Sequence, residues 1–190
     1  MATTSTAGKI GELYVFNELL KRGAAVYVPL VDEGIDALVQ TSAGEAVEIQ
    51  IKVAGGAGGK DPGWFQVPKV PPRKNWFLIA VEAPAQEVQD VWVIPAVVFD
   101  KYAGHLPKGS PRDLNLDSGM KKYGMRLRDL LCGFRNRWEL VVDFEKFEHL
   151  FESPEDLEDI LTMREALDRP DGESITLEDS EHPKSSAVTD

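Results

Sequence analysis

Cysteine occurs once in the chain, at Cys132. One thiol cannot close an internal disulfide or build a Cys-based zinc site. It sits in the apolar stretch Leu130-Leu131-Cys132 and reads as a buried, inert side chain. The three histidines, His105, His149 and His182, do not cluster. No apolar run approaches the roughly 18 residues that a membrane-spanning helix needs. Residues 1–10 lack the basic-then-apolar order of an export signal. These absences predict a cytoplasmic protein with no membrane partner. No serine or cysteine stands in a context that suggests a nucleophile.

An excess of positive charge is also missing. The chain has 21 Lys+Arg against 32 Asp+Glu, a formal net of −11. The imbalance is local, however. Residues 152–190 hold 13 acids and 3 bases, whereas residues 1–151 hold 19 acids and 18 bases, a net of only −1. The body is near neutral and the tail carries the charge. Local patches, not the total, decide whether phosphate can bind. A length of 190 residues with 43% hydrophobic side chains suits one domain with a real core.

Residues 6–21 read as a helix, with Ile10, Leu13, Phe16 and Leu20 at helical spacing and Gly23 as a stop. Residues 24–30 form a short β-rich run. Residues 35–40 and 46–53 read as strands joined by the turn Thr41-Ser42-Ala43-Gly44, hence a hairpin. Residues 55–63 are a glycine-rich loop. Residues 76–81 and 91–94 are further strands, and 95–102 a short helix with proline at its first position. Residues 103–120 are turn-rich, and 138–144 fit either a strand or a helix. Ser153-Pro154-Glu155-Asp156 is a helix start, with Leu157, Ile160 and Leu161 as the apolar stripe. Beyond Pro170 the composition predicts disorder. The expected organisation is a domain over 1–150, a helix over 151–169 and an acidic tail over 170–190. The order of elements predicts an α/β or α+β fold, a mixed sheet flanked by helices.

One constellation suggests chemistry. Strand side chains alternate, so Glu48, Gln50 and Lys52 share one face of the third strand. Ile49, Ile51 and Val53 then take the other face, against the core. The hairpin brings Asp36 from Glu33-Gly34-Ile35-Asp36 beside that polar face, and Glu12 lies on the first helix. A carboxylate and an amide oxygen suit a hard divalent cation. A lysine can orient water or offset charge on a phosphate. The bland alternative is an amphipathic strand with a solvated polar face.

The order Gly11-Glu12, Gly34-Ile35-Asp36 and Gln50-Ile51-Lys52 resembles the PD-(D/E)xK, or restriction-endonuclease-like, nucleases. It is most similar to the Mrr-type branch, in which glutamine stands for the second acid. Trp92-Val93-Ile94-Pro95 adds to the likeness, which spans residues 7–102. The resemblance implies a restriction-endonuclease-like mixed sheet and Mg²⁺- or Mn²⁺-dependent hydrolysis of phosphodiesters, with DNA as partner. It implies Asp36, Gln50, Lys52 and Glu12 as catalytic residues, with Asp36 and Gln50 on the metal. Two departures stand out. Ile35 replaces the proline before Asp36, and a neutral amide replaces an acid. Glu48, on the same face, is the candidate that compensates as a third metal ligand. The other reading is a catalytically inactive module of the same fold that binds nucleic acid or a protein.

Ala54-Gly55-Gly56-Ala57-Gly58-Gly59-Lys60 lacks the spacing of a phosphate loop, since Ala54 and Asp61 stand where glycine and Ser or Thr are required. Lys60 remains a candidate contact to a substrate phosphate. Lys69, Arg73, Lys74 and Trp76 form one basic-aromatic cluster. Lys121, Lys122, Arg126, Arg128, Arg135 and Arg137 form another, with Asp129 as the sole acid between them. Tyr123 and Trp138 suit either base stacking or the core. A tethered acidic tail could compete with nucleic acid for the second cluster, or could simply aid solubility. Cutting both strands with one small centre per chain favours a homodimer.

Overall fold

The computed structural model describes residues 4–31, 34–55, 63–67, 73–84, 87–104 and 111–151. The expected helix over 151–169 and tail over 170–190 lie outside the described residues, Phe151 apart.

Helix α1 (Thr4–Lys21) leads into β1 (Ala25–Tyr27), β2 (Ala37–Gln40) and β3 (Ala46–Ala54). Then come β4 (Trp64–Val67), β5 (Trp76–Glu82), β6 (Asp90–Pro95) and α2 (Ala96–Tyr102). Strand β7 (Arg112–Asn115) is followed by four one-turn helices, α3 (Met120–Tyr123), α4 (Leu127–Leu130), α5 (Glu139–Val142) and α6 (Phe144–Phe147). The undecided stretch 138–144 is therefore helical. Among the described residues no helix is long and apolar enough to cross a membrane.

Five strands form one sheet in the order β1-β2-β3-β5-β6. Only β3 and β5 run parallel; the other neighbours are antiparallel. This is the mixed sheet with flanking helices that the sequence predicted. The β2–β3 hairpin is also as expected. Its turn is held by Thr41, whose hydroxyl accepts from the Glu45 N–H at 3.1 Å.

One face of the sheet carries Ala37, Val39, Val47, Ile49, Ile51, Phe77, Ile79 and Val81, all buried. Phe144 and Phe151 close on Phe77 edge-on, at 6.0 and 5.6 Å between centroids. Helix α1 covers the same face further along. It buries Ala7, Gly11, Val15 and Leu19, not the larger residues singled out above. Ile10, Leu13 and Leu20 are 39%, 60% and 58% exposed. Closeness of approach explains the choice. A Cβ on Gly11 would stand 2.3 Å from Cγ2 of Val53, so the helix rests directly on the strand where its side chains are smallest.

The opposite face carries Glu48, Gln50 and Lys52 with Trp76, Leu78 and Ala80 beside them. It is not a solvated surface. Glu48 is 8% and Gln50 3% exposed. Helix α2 lies over part of it, with Phe99 edge-on to Trp76 at 6.0 Å. A second sheet, β4 paired antiparallel with β7, lies beside β3. The turn-rich reading of 103–120 missed β7, and β4 was missed with it. Their inner residues Phe65, Val67 and Leu114 are fully buried. At about 1.5–3 kcal/mol per large apolar side chain, this second layer contributes materially to the core.

Candidate active site

Asp36 immediately precedes β2. Gly34 ahead of it has φ +87°, a left-handed conformation that glycine adopts without strain. The Asp36 N–H donates to the Ile49 carbonyl at 2.9 Å. Its Oδ2 accepts from the Ile51 N–H at 2.6 Å. The last hairpin pair is Ala37 with Ile49, so Asp36 stands one step further, opposite Gln50. The carboxylate is thereby fixed to β3 between Gln50 and Lys52.

Gln50 is buried, and its Oε1 has no hydrogen-bond partner. An orphaned acceptor inside a protein is costly, by about 1–3 kcal/mol. It marks a place where a donor or a cation belongs. Lys52 is half-buried and enters no ion pair among the described residues.

Glu12 follows Gly11, which rests on Val53 of the apolar face of β3. It pairs with Lys9 one helical turn earlier. The hydrogen bond and charge of Glu12 hold the Lys9 ammonium above its ordinary pKa, and Asp36 adds to the effect. The sequence reading overlooked this Lys9–Glu12 pair. The available signal was the i, i+3 spacing of the two residues.

Glu48, considered above as a third metal ligand, has a different partner. It forms an ion pair with Arg73. Its other oxygen, Oε2, is buried without a hydrogen bond. Among the described residues no three His, Cys, Asp or Glu side chains gather as a metal cluster. Asp36, just before β2, and Gln50 of β3 stand opposite each other, whereas Glu12 is engaged by Lys9 on α1.

Lys60 and Lys69 lie outside the described residues. Lys74 is exposed. Lys121 and Lys122 are exposed on α3, with Lys122 4.9 Å from the Tyr123 ring centre. Arg126 pairs with Asp129 at 3.2 Å and Asp117 at 4.0 Å. Arg128 is bound to buried Glu82 at 2.9 Å and to Asp117 at 2.8 Å. Arg135 pairs with Asp90, and Arg137 with Glu139. Four of the six basic side chains of this stretch are thus neutralised. Tyr123 packs edge-on to Tyr102 at 5.4 Å, and Trp138 is 3% exposed. Cys132 is half-buried rather than buried.

The backbone as a whole is similar to that of a bacterial homing endonuclease. The two share a TM-score of 0.51 and 23% identity, over 76% of this chain and 94% of that chain. At that identity the likeness is one of fold: a mixed α+β architecture with a five-stranded mixed sheet flanked by helices. No family model and no curated protein matches the sequence.

Proposed function

We propose that the protein is a metal-dependent nuclease of the PD-(D/E)xK type, close to the Mrr branch, hydrolysing phosphodiester bonds in DNA in a defence or repair setting. The observation that carries this reading is the Asp36 carboxylate fixed at the Ile51 N–H, between the Gln50 amide oxygen and Lys52, both without a partner among the described residues, on a fold similar to that of a homing endonuclease. Asp36, Gln50 and Glu12 would hold Mg²⁺ or Mn²⁺. Such an ion, when bound, makes a water more acidic and offsets phosphate charge. Lys52 presents its ammonium on the same strand face. From there it donates to a phosphate oxygen and stabilises the charge that develops during attack. Asp36, bonded through Oδ2 to the Ile51 N–H, keeps a fixed orientation beside β3. Cutting both strands would take a homodimer with one centre per strand, and the reading places it in the cytoplasm.

A second reading has its own support. The metal set contains one neutral amide, and Glu12 and Glu48 already have cationic partners. A non-catalytic module that binds nucleic acid or protein would tolerate both. Incubation with supercoiled plasmid and Mg²⁺ or Mn²⁺ separates the two. Nicking or linearisation that disappears in Lys52→Ala supports the nuclease. Plasmid left intact by wild type under both ions defeats it.

A further inference from the structure

We infer that Arg73, held by the buried carboxylate of Glu48, forms a phosphate-binding subsite for the strand that flanks the scissile bond, with Glu48 as its positioning residue. The inference rests on the nuclease reading and assigns Glu48 to the substrate rather than to the metal.

The pair is unlike an ordinary surface ion pair, where both ends lie in water and little is gained. The Glu48 side chain is 10% exposed, whereas that of Arg73 is 56% exposed. The acid is rooted in the sheet and the guanidinium reaches outward from it. A guanidinium carries five N–H donors in a planar fork. The bond to Glu48 engages Nη1. Even if buried Oε2 took a second N–H, the outward edge would remain for a phosphate, which guanidinium binds bidentately.

The backbone under Arg73 is fixed as well. The Glu48 N–H donates to the Asn75 carbonyl at 2.8 Å, and Trp76 N–H to the Arg73 carbonyl at 3.4 Å. The Asn75 amide donates to the Ala46 carbonyl at 2.7 Å. The turn that carries Arg73 is therefore stitched to the start of β3. On that strand Glu48, Gln50 and Lys52 share a face at steps of about 6–7 Å. Glu48 and Gln50 are themselves buried, so of this row it is Lys52 and the Glu48-held guanidinium, two such steps apart, that a nucleic-acid backbone would meet. By contrast, Arg126, Arg128, Arg135 and Arg137 are turned toward acids of the body.

The test uses the full chain and one short DNA duplex. Fluorescence anisotropy gives affinity across a salt series, and single-turnover assays with Mg²⁺ or Mn²⁺ give the cutting rate. Arg73→Ala should flatten the slope of log affinity against log salt by about one phosphate contact. It should also slow cutting roughly tenfold or more. Glu48→Gln adds a positive charge, so affinity should hold or rise, yet cutting should slow as much as in Arg73→Ala. Arg73→Lys should restore the slope but not the rate, because an ammonium is not held in a fork. Arg73→Lys keeps a cation on the buried Glu48 carboxylate, so it remains a folded comparison even where Arg73→Ala, which strands that carboxylate, is destabilised. A wild type that cuts, beside an Arg73→Ala protein with unchanged slope and rate, overturns this inference alone. A wild type that binds without cutting leaves the decision to the slope, and an unchanged slope overturns it. A wild type that neither binds nor cuts overturns the nuclease reading and this inference with it.

Discussion

Removing the guanidinium of Arg128 should cost the fold about 3 kcal/mol. The reasoning starts from Glu82, at the end of β5, whose side chain is 5% exposed. Arg128 donates to both of its oxygens, at 2.9 and 3.2 Å, and the Trp92 indole N–H donates to Oε2 at 3.3 Å. The same guanidinium donates to Asp117, just past β7, at 2.8 Å. The hydrogen bonds that Arg128 donates to Asp117 and Glu82 hold its pKa well above the ordinary value. In Arg128→Met the Glu82 carboxylate stays buried with one indole N–H. Breaking a buried pair on one side costs about 3–5 kcal/mol. The lower end applies because Arg128 is 23% exposed and Trp92 remains. In a domain of this size that is a fall in Tm of roughly 6–12 °C. Adding Glu82→Gln should recover most of the loss, since a neutral amide no longer needs a counter-charge. Urea denaturation of the two singles and the double measures this. A loss under about 0.5 kcal/mol in Arg128→Met, or a double variant as unstable as that single, would refute the argument.

Three further outcomes follow from other parts of the molecule. Gly11→Ala gains up to about 1 kcal/mol of helix propensity, but its Cβ meets the stiff side chain of Val53. It should therefore destabilise by about 1–3 kcal/mol in urea melts, with Val53→Ala as second change relieving it; a stabilised Gly11→Ala would contradict the close packing. Asp117 has its pKa depressed, first by the hydrogen bond from Arg128. Its stabilisation is complete above the ordinary aspartate value of about 3.9 and is lost as pH falls through the lower folded value. Asp117→Asn should thus be less acid-sensitive over that interval than wild type, and identical acid-unfolding curves would count against it. Gln50→Glu replaces the orphaned amide oxygen with a carboxylate, so calorimetry with DNA present should show Mg²⁺ or Mn²⁺ binding severalfold tighter. Asp36→Ala should abolish that binding, and metal uptake equal to wild type in Asp36→Ala would remove Asp36 from the site.

The long strands were readable because their residues carry the preference themselves. Ala46–Ala54, Trp76–Glu82 and Asp90–Pro95 are rich in Val, Ile and aromatics. Gly34, Asp36, Gln50 and Lys52 lie close together in the chain, so a hairpin was enough to assemble them. What failed was decided at a distance. Strands β4 and β7 have four residues each, and Arg112-Asp113-Leu114-Asn115 holds no β-branched residue. Pairing with β4 makes β7 a strand, not its own propensity. Their presence beside β3, together with α2, buries Glu48 and Gln50 on a face that alternation alone predicted to be wet. Helix α1 was readable as a helix, but its orientation was not. Helical spacing picked out Ile10, Leu13, Phe16 and Leu20, of which Phe16 packs partly buried against the core, whereas the fold turned the stripe of Ala7, Gly11, Val15 and Leu19 onto the sheet, with Gly11 on Val53.

The charged residues carry the same argument into function. Between Lys121 and Arg137 the chain shows one acid, and a linear count makes the stretch a phosphate site. In three dimensions β5 supplies Glu82, β6 supplies Asp90, and flanking positions supply Asp117 and Glu139. The arginines become clamps that tie the later helices and the second sheet to the central one. A salt-sensitive competition by the acidic tail would then have only Lys121 and Lys122 as unneutralised anchors in that stretch. Arg73 reverses the pattern. It stands in a short, unremarkable basic group, yet its one acid is buried beneath it and its outward edge faces solvent. Sequence gives the number of charges, but burial of the partner determines which cation stiffens the fold and which is presented to a phosphate.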